Sequence, residues 1–132
     1  MQTARYASGA IYVPRLGNIV LGGRGSRARL FHFLRTAELL NRGGEVGVQA
    51  EWTWSALPSM LKPRAWPSVV YHDSRVFVAS RCEDSIEMLL LHPDRTAQWT
   101  VISVDLLGDH YPNSMITVGD QILFSSRINQ FC

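Results

Sequence analysis

The stretch "PSVVYHDSRVFVASR" (residues 67–81) decides the fold of this chain of 132 residues. Two short apolar runs surround a polar turn, and two small residues and an arginine follow them. The apolar runs are rich in valine, which favours strands, and the residues between them suit a tight turn. The pattern therefore predicts a β-hairpin with strands near residues 68–71 and 75–78.

The same pattern occurs twice more in the chain. Residues 113–127, "NSMITVGDQILFSSR", repeat it with Ser126 lying 46 positions after Ser80. Residues 7–24, "ASGAIYVPRLGNIVLGGR", repeat it again and also end in two small residues and an arginine. A period near 46 with strand-like contents is typical of propellers and related arrays. The first unit is about 11 residues longer, and we place an insertion near residues 34–47, where a short helix-like patch precedes a glycine-rich loop.

The second unit holds two further strand patterns, near residues 86–91 and 98–102. Short apolar runs bounded by Gly, Pro, Asp and Asn suit strands that are buried on both faces. Hardly any segment keeps a period of 3.6 residues over ten positions, so a helical fold is not expected. The sequence predicts an all-β chain with four strands per unit.

These repeats resemble the Kelch motif, whose family builds β-propellers from four-stranded antiparallel blades. The family's diglycine is similar to Gly22-Gly23, its Pro-Arg segment to "LKPRAW" (residues 61–66), and its third-strand core to "SIEMLLLHPDRTAQW" (residues 85–99). A tryptophan is expected to open each fourth strand. The resemblance implies a structural role for these residues: Gly22, Gly23, Trp54, Ala79, Ser80, Trp99, Ser125 and Ser126.

The resemblance covers nearly the whole chain and implies a partial β-propeller. We expect a Kelch blade at residues 1–55 with the insertion, a second at 56–103, and an incomplete one at 104–132. Closed propellers have typically four to eight blades. About two and a half blades therefore suggest a fragment of a larger propeller, which needs the remaining blades or self-association for closure.

Catalytic motifs are not identifiable. The stretch "GGRGS" at residues 22–26 lacks the lysine and the following helix of a phosphate-binding loop. Its glycines are better explained by close approach of neighbouring backbones. The four histidines lie 40, 20 and 18 positions apart, so no metal site is expected. No Ser-His-Asp or paired-carboxylate set stands out, and we expect neither an enzyme nor a bound cofactor.

The composition is that of an ordinary globular chain, with 46% apolar and 18% charged residues. A net charge of +2 gives no reason to expect nucleic acid as a partner. No signal-peptide core or membrane-spanning run is present in the sequence. Two cysteines without a CxxC spacing, Cys82 and Cys132, suggest free thiols in a reducing compartment. We therefore expect a cytoplasmic protein that does not contact a membrane.

The arginines supply the candidate binding residues, since 12 of the 13 basic residues are arginine. In an antiparallel blade, the loop after the second strand and the segment before the first strand lie at the same end. Arginines follow each small pair and precede two of the first strands, and His110 occupies the third such place. We expect a binding rim formed by Arg5, Arg24, Arg64, Trp66, Arg81 and Arg127. As alternatives, these charges are solvated or pair with Glu83, Asp84 and Asp109, and Trp66 folds onto the core.

The sequence thus predicts a non-catalytic protein-interaction module that binds a protein or an acidic peptide segment through one rim. The Kelch resemblance implies a substrate receptor of a cullin-based ubiquitin ligase, as many family members are when joined to a BTB domain. Two alternatives stay open: an actin-associated cytoskeletal scaffold, and a fragment of a carbohydrate-processing propeller enzyme.

Overall fold

The computed structural model describes residues 1–27, 30–43, 51–81, 83–92, 97–103 and 110–128. All the regular elements in these ranges are β-strands, which confirms the all-β prediction. The same ranges contain no helix that is long and apolar enough to cross a membrane. The strands are β1 Gly9–Val13, β2 Gly17–Leu21, β3 Arg24–Arg27, β4 Leu30–Phe33, β5 Ala37–Gly43, β6 Glu51–Leu57, β7 Ser68–His72, β8 Arg75–Ala79, β9 Ser85–Leu90, β10 Trp99–Ser103, β11 His110–Val118 and β12 Gln121–Ile128.

The first sheet is an antiparallel meander in the order β1-β2-β5-β6, and a separate hairpin, β3–β4, is inserted between β2 and β5. The extra residues of the first unit therefore lie in this inserted hairpin, and the prediction of an insertion near residues 34–47 is wrong. Leu39 and Leu40 face opposite sides of the sheet, and both are at least partly covered. Since apolar residues on both faces hide the alternation of a strand, β5 resembled a helix in the sequence.

The second sheet has the same connectivity, with β7, β8, β9 and β10 as consecutive antiparallel neighbours. Its strands lie within about a residue of the predicted positions. His72 pairs with Arg75, which leaves Asp73 and Ser74 as a two-residue turn with φ of 47° and 58°. Positive φ at both positions is the signature of a type I′ hairpin turn.

A terminal hairpin, β11–β12, forms the third unit. Its turn begins at Gly119, whose φ of 61° lies in the left-handed region that favours glycine. Ser125, Ser126 and Arg127 lie inside β12 and not in a loop after it, which corrects the placement expected from the repeat. The side chain of Arg127 lies outside the described part of the chain, as do Cys82 and Cys132.

The three units stack face to face around two hydrophobic cores. The first core joins the two four-stranded sheets through residues such as Ile19, Leu21 and Leu89. The second core joins the second sheet to the terminal hairpin through Val70 and Met115, among others. The first strands of the three units, β1, β7 and β11, are neighbours in that order.

Gly22 and Gly23 follow β2 at a point where two backbones approach each other closely. Their φ angles are 60° and 94°, and a Cβ at Gly22 would lie 2.5 Å from the carbonyl oxygen of Arg64. The Gly23 amide donates to that same oxygen at 2.7 Å. In the second sheet, Ala79 and Ser80 at the end of β8 are fully buried. A side chain therefore has no room at Gly22, and the equivalent Ser80 of the second sheet is small and fully buried.

Candidate partner-binding surface

Arg5 and Glu38 form a buried ion pair that fixes the start of the chain on the first sheet. Arg5 Nη2 lies 2.5 Å from Glu38 Oε2, and the two side chains are 1% and 3% exposed. The Arg5 guanidinium also donates to the carbonyl oxygens of Gly22 and Thr36. The backbone amides of Gln2 and Thr3 donate to the two oxygens of the Glu38 carboxylate.

Arg64 and Glu87 repeat this arrangement in the second sheet. Their side chains are fully buried, with Arg64 Nη2 at 3.2 Å from Glu87 Oε1. The amides of Leu61 and Lys62 donate to the Glu87 carboxylate at 2.7 and 2.9 Å. Arg64 Nη1 donates to the carbonyl oxygen of Ser85 at 2.8 Å. Arg64 lies 59 positions after Arg5, and Glu87 lies 49 after Glu38. The two spacings differ because the inserted hairpin lies between Arg5 and Glu38, so the two ion pairs are equivalent parts of the repeat.

His110 takes the place of the arginine in the terminal hairpin. It lies 46 positions after Arg64, and Ser126 lies 46 after Ser80. His110 Nδ1 and Ser126 Oγ are 3.2 Å apart, while Arg64 Nη1 and Ser80 Oγ are 3.5 Å apart. The contact between these two positions of the repeat is therefore kept.

Arg5 and Arg64 do not lie on the exposed rim that the sequence predicted. Their guanidinium groups are buried because each neutralises a glutamate of its own sheet. Burial raises the pKa of Glu38, but the hydrogen bonds from Gln2, Arg5 and Thr3 outweigh it and hold the pKa below its ordinary value. Burial lowers the pKa of Arg64, against the attraction of Glu87.

Three other candidates, Arg24, Trp66 and Arg81, do meet at the surface. The guanidinium carbons of Arg24 and Arg81 lie 5.3 and 4.6 Å from the centroid of the Trp66 ring. Trp66 is 44% exposed, which settles its placement as a surface residue in contact with two cations. We call the set of Tyr6, Arg24, Phe33, Trp66 and Arg81 the arginine–tryptophan surface.

The inserted hairpin builds one side of this surface. Arg24 opens β3 and pairs with Phe33 at the end of β4. The Phe33 ring meets Trp66 edge-on at 6.4 Å between centroids. Arg24 also lies over the rings of Phe33 and Tyr6, at 5.7 and 5.6 Å, and exchanges two backbone hydrogen bonds with Tyr6. Sequence reasoning missed Phe33 and Tyr6, although the alternating "RLFHF" pattern that produces the hairpin is visible.

Trp66 is held in place by its backbone. Its φ of 46° is uncommon for a non-glycine residue, and its amide donates to the carbonyl oxygen of Ala7 at 2.9 Å. Ala7 lies 59 positions earlier, at the equivalent place in the first unit, and has a φ of 52°. The left-handed conformation thus belongs to the segment before the first strand of both four-stranded sheets and is not specific to Trp66.

Arg24 and Arg81 do not occupy equivalent positions of the repeat, although each was expected to follow an equivalent pair of small residues. Val20 lies opposite Glu38 and Val78 opposite Glu87, so β2 and β8 are related by a shift of 58 residues. Arg81 is therefore equivalent to Gly23, and Arg24 is one position further along the repeat. The two arginines converge because the inserted hairpin turns Arg24 toward Trp66.

Nearby acidic residues contact the single lysine of the chain. Lys62 Nζ lies 2.9 Å from Glu83 and 3.3 Å from Asp84. Both carboxylates raise the pKa of Lys62, with Glu83 the larger cause. The charge of these two acidic residues is thus at least partly balanced by Lys62.

The arrangement can bind an anionic group next to an apolar one. Guanidinium groups bind carboxylates in a bidentate manner and also stack on aromatic rings. Stacking fixes the guanidinium in place, so less side-chain entropy is lost when a partner binds. Exposed aromatic rings such as Trp66 and Phe33 supply apolar contact area of the kind that dominates interfaces.

The tryptophans of the two sheets differ. Trp99 opens β10 as predicted, is 5% exposed, and donates from Nε1 to the carbonyl oxygen of Pro58 at 2.7 Å. Trp54 lies in the middle of β6, so the prediction that it opens the fourth strand is wrong. Trp52 on the same strand is 59% exposed. Trp99 alone of these three therefore packs fully between the sheets.

Comparison with known proteins adds no family. No protein-family model matches the chain, and no curated protein sequence matches it. The Kelch resemblance therefore stays a prediction from the sequence motifs. Within the described residues, no three His, Cys, Asp or Glu side chains form a group that could hold a metal ion.

Proposed function

We propose that this chain is a segment of a Kelch-type β-propeller that acts as a non-catalytic protein-interaction module. Two four-stranded meanders support the propeller architecture, because they stack face to face with their first strands adjacent. The ion pairs Arg5–Glu38 and Arg64–Glu87 support it further. Each pair joins the segment before the first strand of a sheet to the third strand of the same sheet.

The binding site in this proposal is the arginine–tryptophan surface, and its ligand is an acidic protein segment that carries an aromatic or large apolar residue. The observation that carries the proposal is the exposed Trp66 ring with the Arg24 and Arg81 guanidinium groups within 5.3 Å of its centroid. Acidic side chains would engage the two guanidinium groups, and the apolar residue would pack on Trp66 and Phe33.

The test uses a labelled oligoglutamate peptide with a central tryptophan, and an oligoglutamine peptide of the same length for comparison. Fluorescence anisotropy should show binding of the acidic peptide that weakens as salt is added, because salt screens exposed charges. The double variant Arg24→Ala with Arg81→Ala should lower the affinity at least about tenfold, which corresponds to ~1.4 kcal/mol.

The control is Arg15→Ala with Arg75→Ala, which removes the same charge from the opposite end of the strands, where Arg15 lies in the β1–β2 turn and Arg75 begins β8. This control should bind like the wild type. Equal affinity for the wild type and the Arg24/Arg81 double variant would rule out the proposed site. A role as substrate receptor of a ubiquitin ligase rests on the Kelch resemblance, and it predicts co-purification of the protein with a cullin-based ligase.

A further inference from the structure

The contact between neighbouring units is the same at both places where it occurs. We call the face of a unit that points to the preceding unit its leading face, and the opposite one its trailing face. The leading face of the second sheet, with Val76 and Leu89, packs on the trailing face of the first sheet, with Ile19. The trailing face of the second sheet, with Val70, packs on Met115 of the terminal hairpin. Each trailing face thus contacts the next leading face.

The trailing face of the terminal hairpin is apolar and exposed. Ile116, Val118 and Leu123 share this face and are 60%, 52% and 48% exposed. Ile116 and Leu123 lie 46 positions after Val70 and Phe77 of the second sheet. Val70 is 6% exposed and Phe77 is partly buried, because the hairpin covers them. The positions that bury apolar side chains in one unit are therefore exposed in the next.

The leading face of the first sheet is partly exposed. Tyr12, Asn18, Leu40 and Trp54 form one row across it, in which Tyr12 is 63% exposed and the other three are partly buried. Leu40 and Trp54 pair in the same register as Leu89 and Trp99 of the second sheet. Leu89 is fully buried and Trp99 is 5% exposed, because the first sheet covers them. The first sheet therefore presents the kind of surface that the second sheet buries.

We propose that a second copy of this chain docks head to tail, with the trailing face of the terminal hairpin on the leading face of the partner's first sheet. A second copy is the occupant because the two open faces are the two halves of one contact, which the chain already makes twice within itself. Two copies would form the contact twice and bring together six units, which are four four-stranded sheets and two terminal hairpins. Closed propellers have typically four to eight blades. A contact between two different faces closes into a ring when the rotation allows it.

The first test is the mass of the full chain in solution, measured by sedimentation equilibrium over a wide range of concentration. We expect a species of twice the chain mass of 14.8 kDa. The variants Leu123→Lys and Tyr12→Lys each place a charge on one open face and should raise the dissociation constant at least about tenfold. If Leu123→Lys lowers the folded fraction, Ile116→Lys replaces it as a second variant on the same face.

The matched control is Leu61→Lys. Leu61 is 54% exposed and lies before β7, on neither open face. This variant should associate like the wild type. A mass of a single chain at every concentration would overturn the proposal.

Mixing the two face variants tests the head-to-tail geometry. Each variant keeps one native face, so an equimolar mixture of Leu123→Lys and Tyr12→Lys should form a one-to-one complex that neither forms alone. If instead Leu123→Lys abolishes association and Tyr12→Lys leaves it unchanged, the hairpins meet each other and the proposal is wrong.

Discussion

The Arg64 guanidinium and the Glu87 carboxylate are 3.2 Å apart, and neither side chain is exposed to solvent. Arg64 belongs to the segment before β7, and Glu87 belongs to the third strand of the same sheet. The pair therefore ties the incoming chain to the sheet that it goes on to form. Arg64 also donates hydrogen bonds to Ser85, and the amides of Leu61 and Lys62 donate to Glu87. These hydrogen bonds satisfy the buried polar groups, as a stable buried ion pair requires.

Removing Glu87 should destabilise the protein strongly. Glu87→Ala leaves the Arg64 charge buried without its carboxylate, and we expect the free energy of unfolding to fall by about 3–5 kcal/mol. Urea denaturation measures this loss. The control Glu83→Ala removes the partly exposed pair with Lys62 and should cost no more than about 1 kcal/mol. Losses of equal size in the two variants would contradict the structural role of the Arg64–Glu87 pair.

Glu38 should make the stability depend on acid pH. Its pKa in the folded protein lies below the ordinary value of 4.5, so the unfolded chain binds a proton here at a higher pH than the folded chain does. The contribution of Glu38 to the free energy of unfolding is therefore complete above pH 4.5 and is lost as the pH falls through the lower, folded pKa.

The measurement is urea denaturation of the wild type and of Glu38→Gln at a series of pH values from neutral to acid. The variant should be less stable at neutral pH and should lose less stability on acidification. Curves that stay parallel over the whole series would show that Glu38 is not a source of the acid dependence.

Gly22 should tolerate alanine less well than Gly119 does. Both have φ near 60°, so each variant places an L-residue in the left-handed conformation, which costs about 1–2 kcal/mol of stability. A Cβ at Gly22 also meets the Arg64 carbonyl oxygen at 2.5 Å, whereas a Cβ at Gly119 meets nothing within 4 Å. Crowding should therefore make Gly22→Ala the more destabilising by a further ~1–3 kcal/mol. Equal melting temperatures for the two variants would contradict a close approach at Gly22.

The strands of the second sheet could be predicted because local signals agree there. Valine-rich runs, a two-residue turn and bounding polar residues all lie within the same short stretch, at residues 67–81. The inserted hairpin was misplaced because β5 carries apolar residues on both faces, which removes the alternation that marks a strand. The alternation in "RLFHF" indicates a strand, but it does not show where the extra residues of the first unit lie.

The burial of Arg5 and Arg64 could not be predicted because each ion pair joins residues far apart in sequence. Arg5 and Glu38 are 33 positions apart, and Arg64 and Glu87 are 23 apart. From the sequence alone, an arginine before a strand is expected at the surface. Its burial can be predicted only when the carboxylate that pairs with it is identified. The quoted "SIE" segment contained Glu87, so the partner was visible, but its contact with Arg64 depends on the sheet register.

Trp99 and Trp54 should respond differently to truncation, although they occupy the same position of the repeat. Trp99→Ala removes a side chain that is 5% exposed and bonded to Pro58, and should cost about 3–5 kcal/mol at any protein concentration. Trp54→Ala removes a half-buried side chain and should cost less when the protein is dilute. If a second copy covers Trp54, the stability that Trp54→Ala loses should grow with protein concentration, because association stabilises the folded state by mass action. Urea denaturation at two concentrations makes the comparison, and a loss for Trp54→Ala as large as that for Trp99→Ala in dilute protein would contradict the difference in burial.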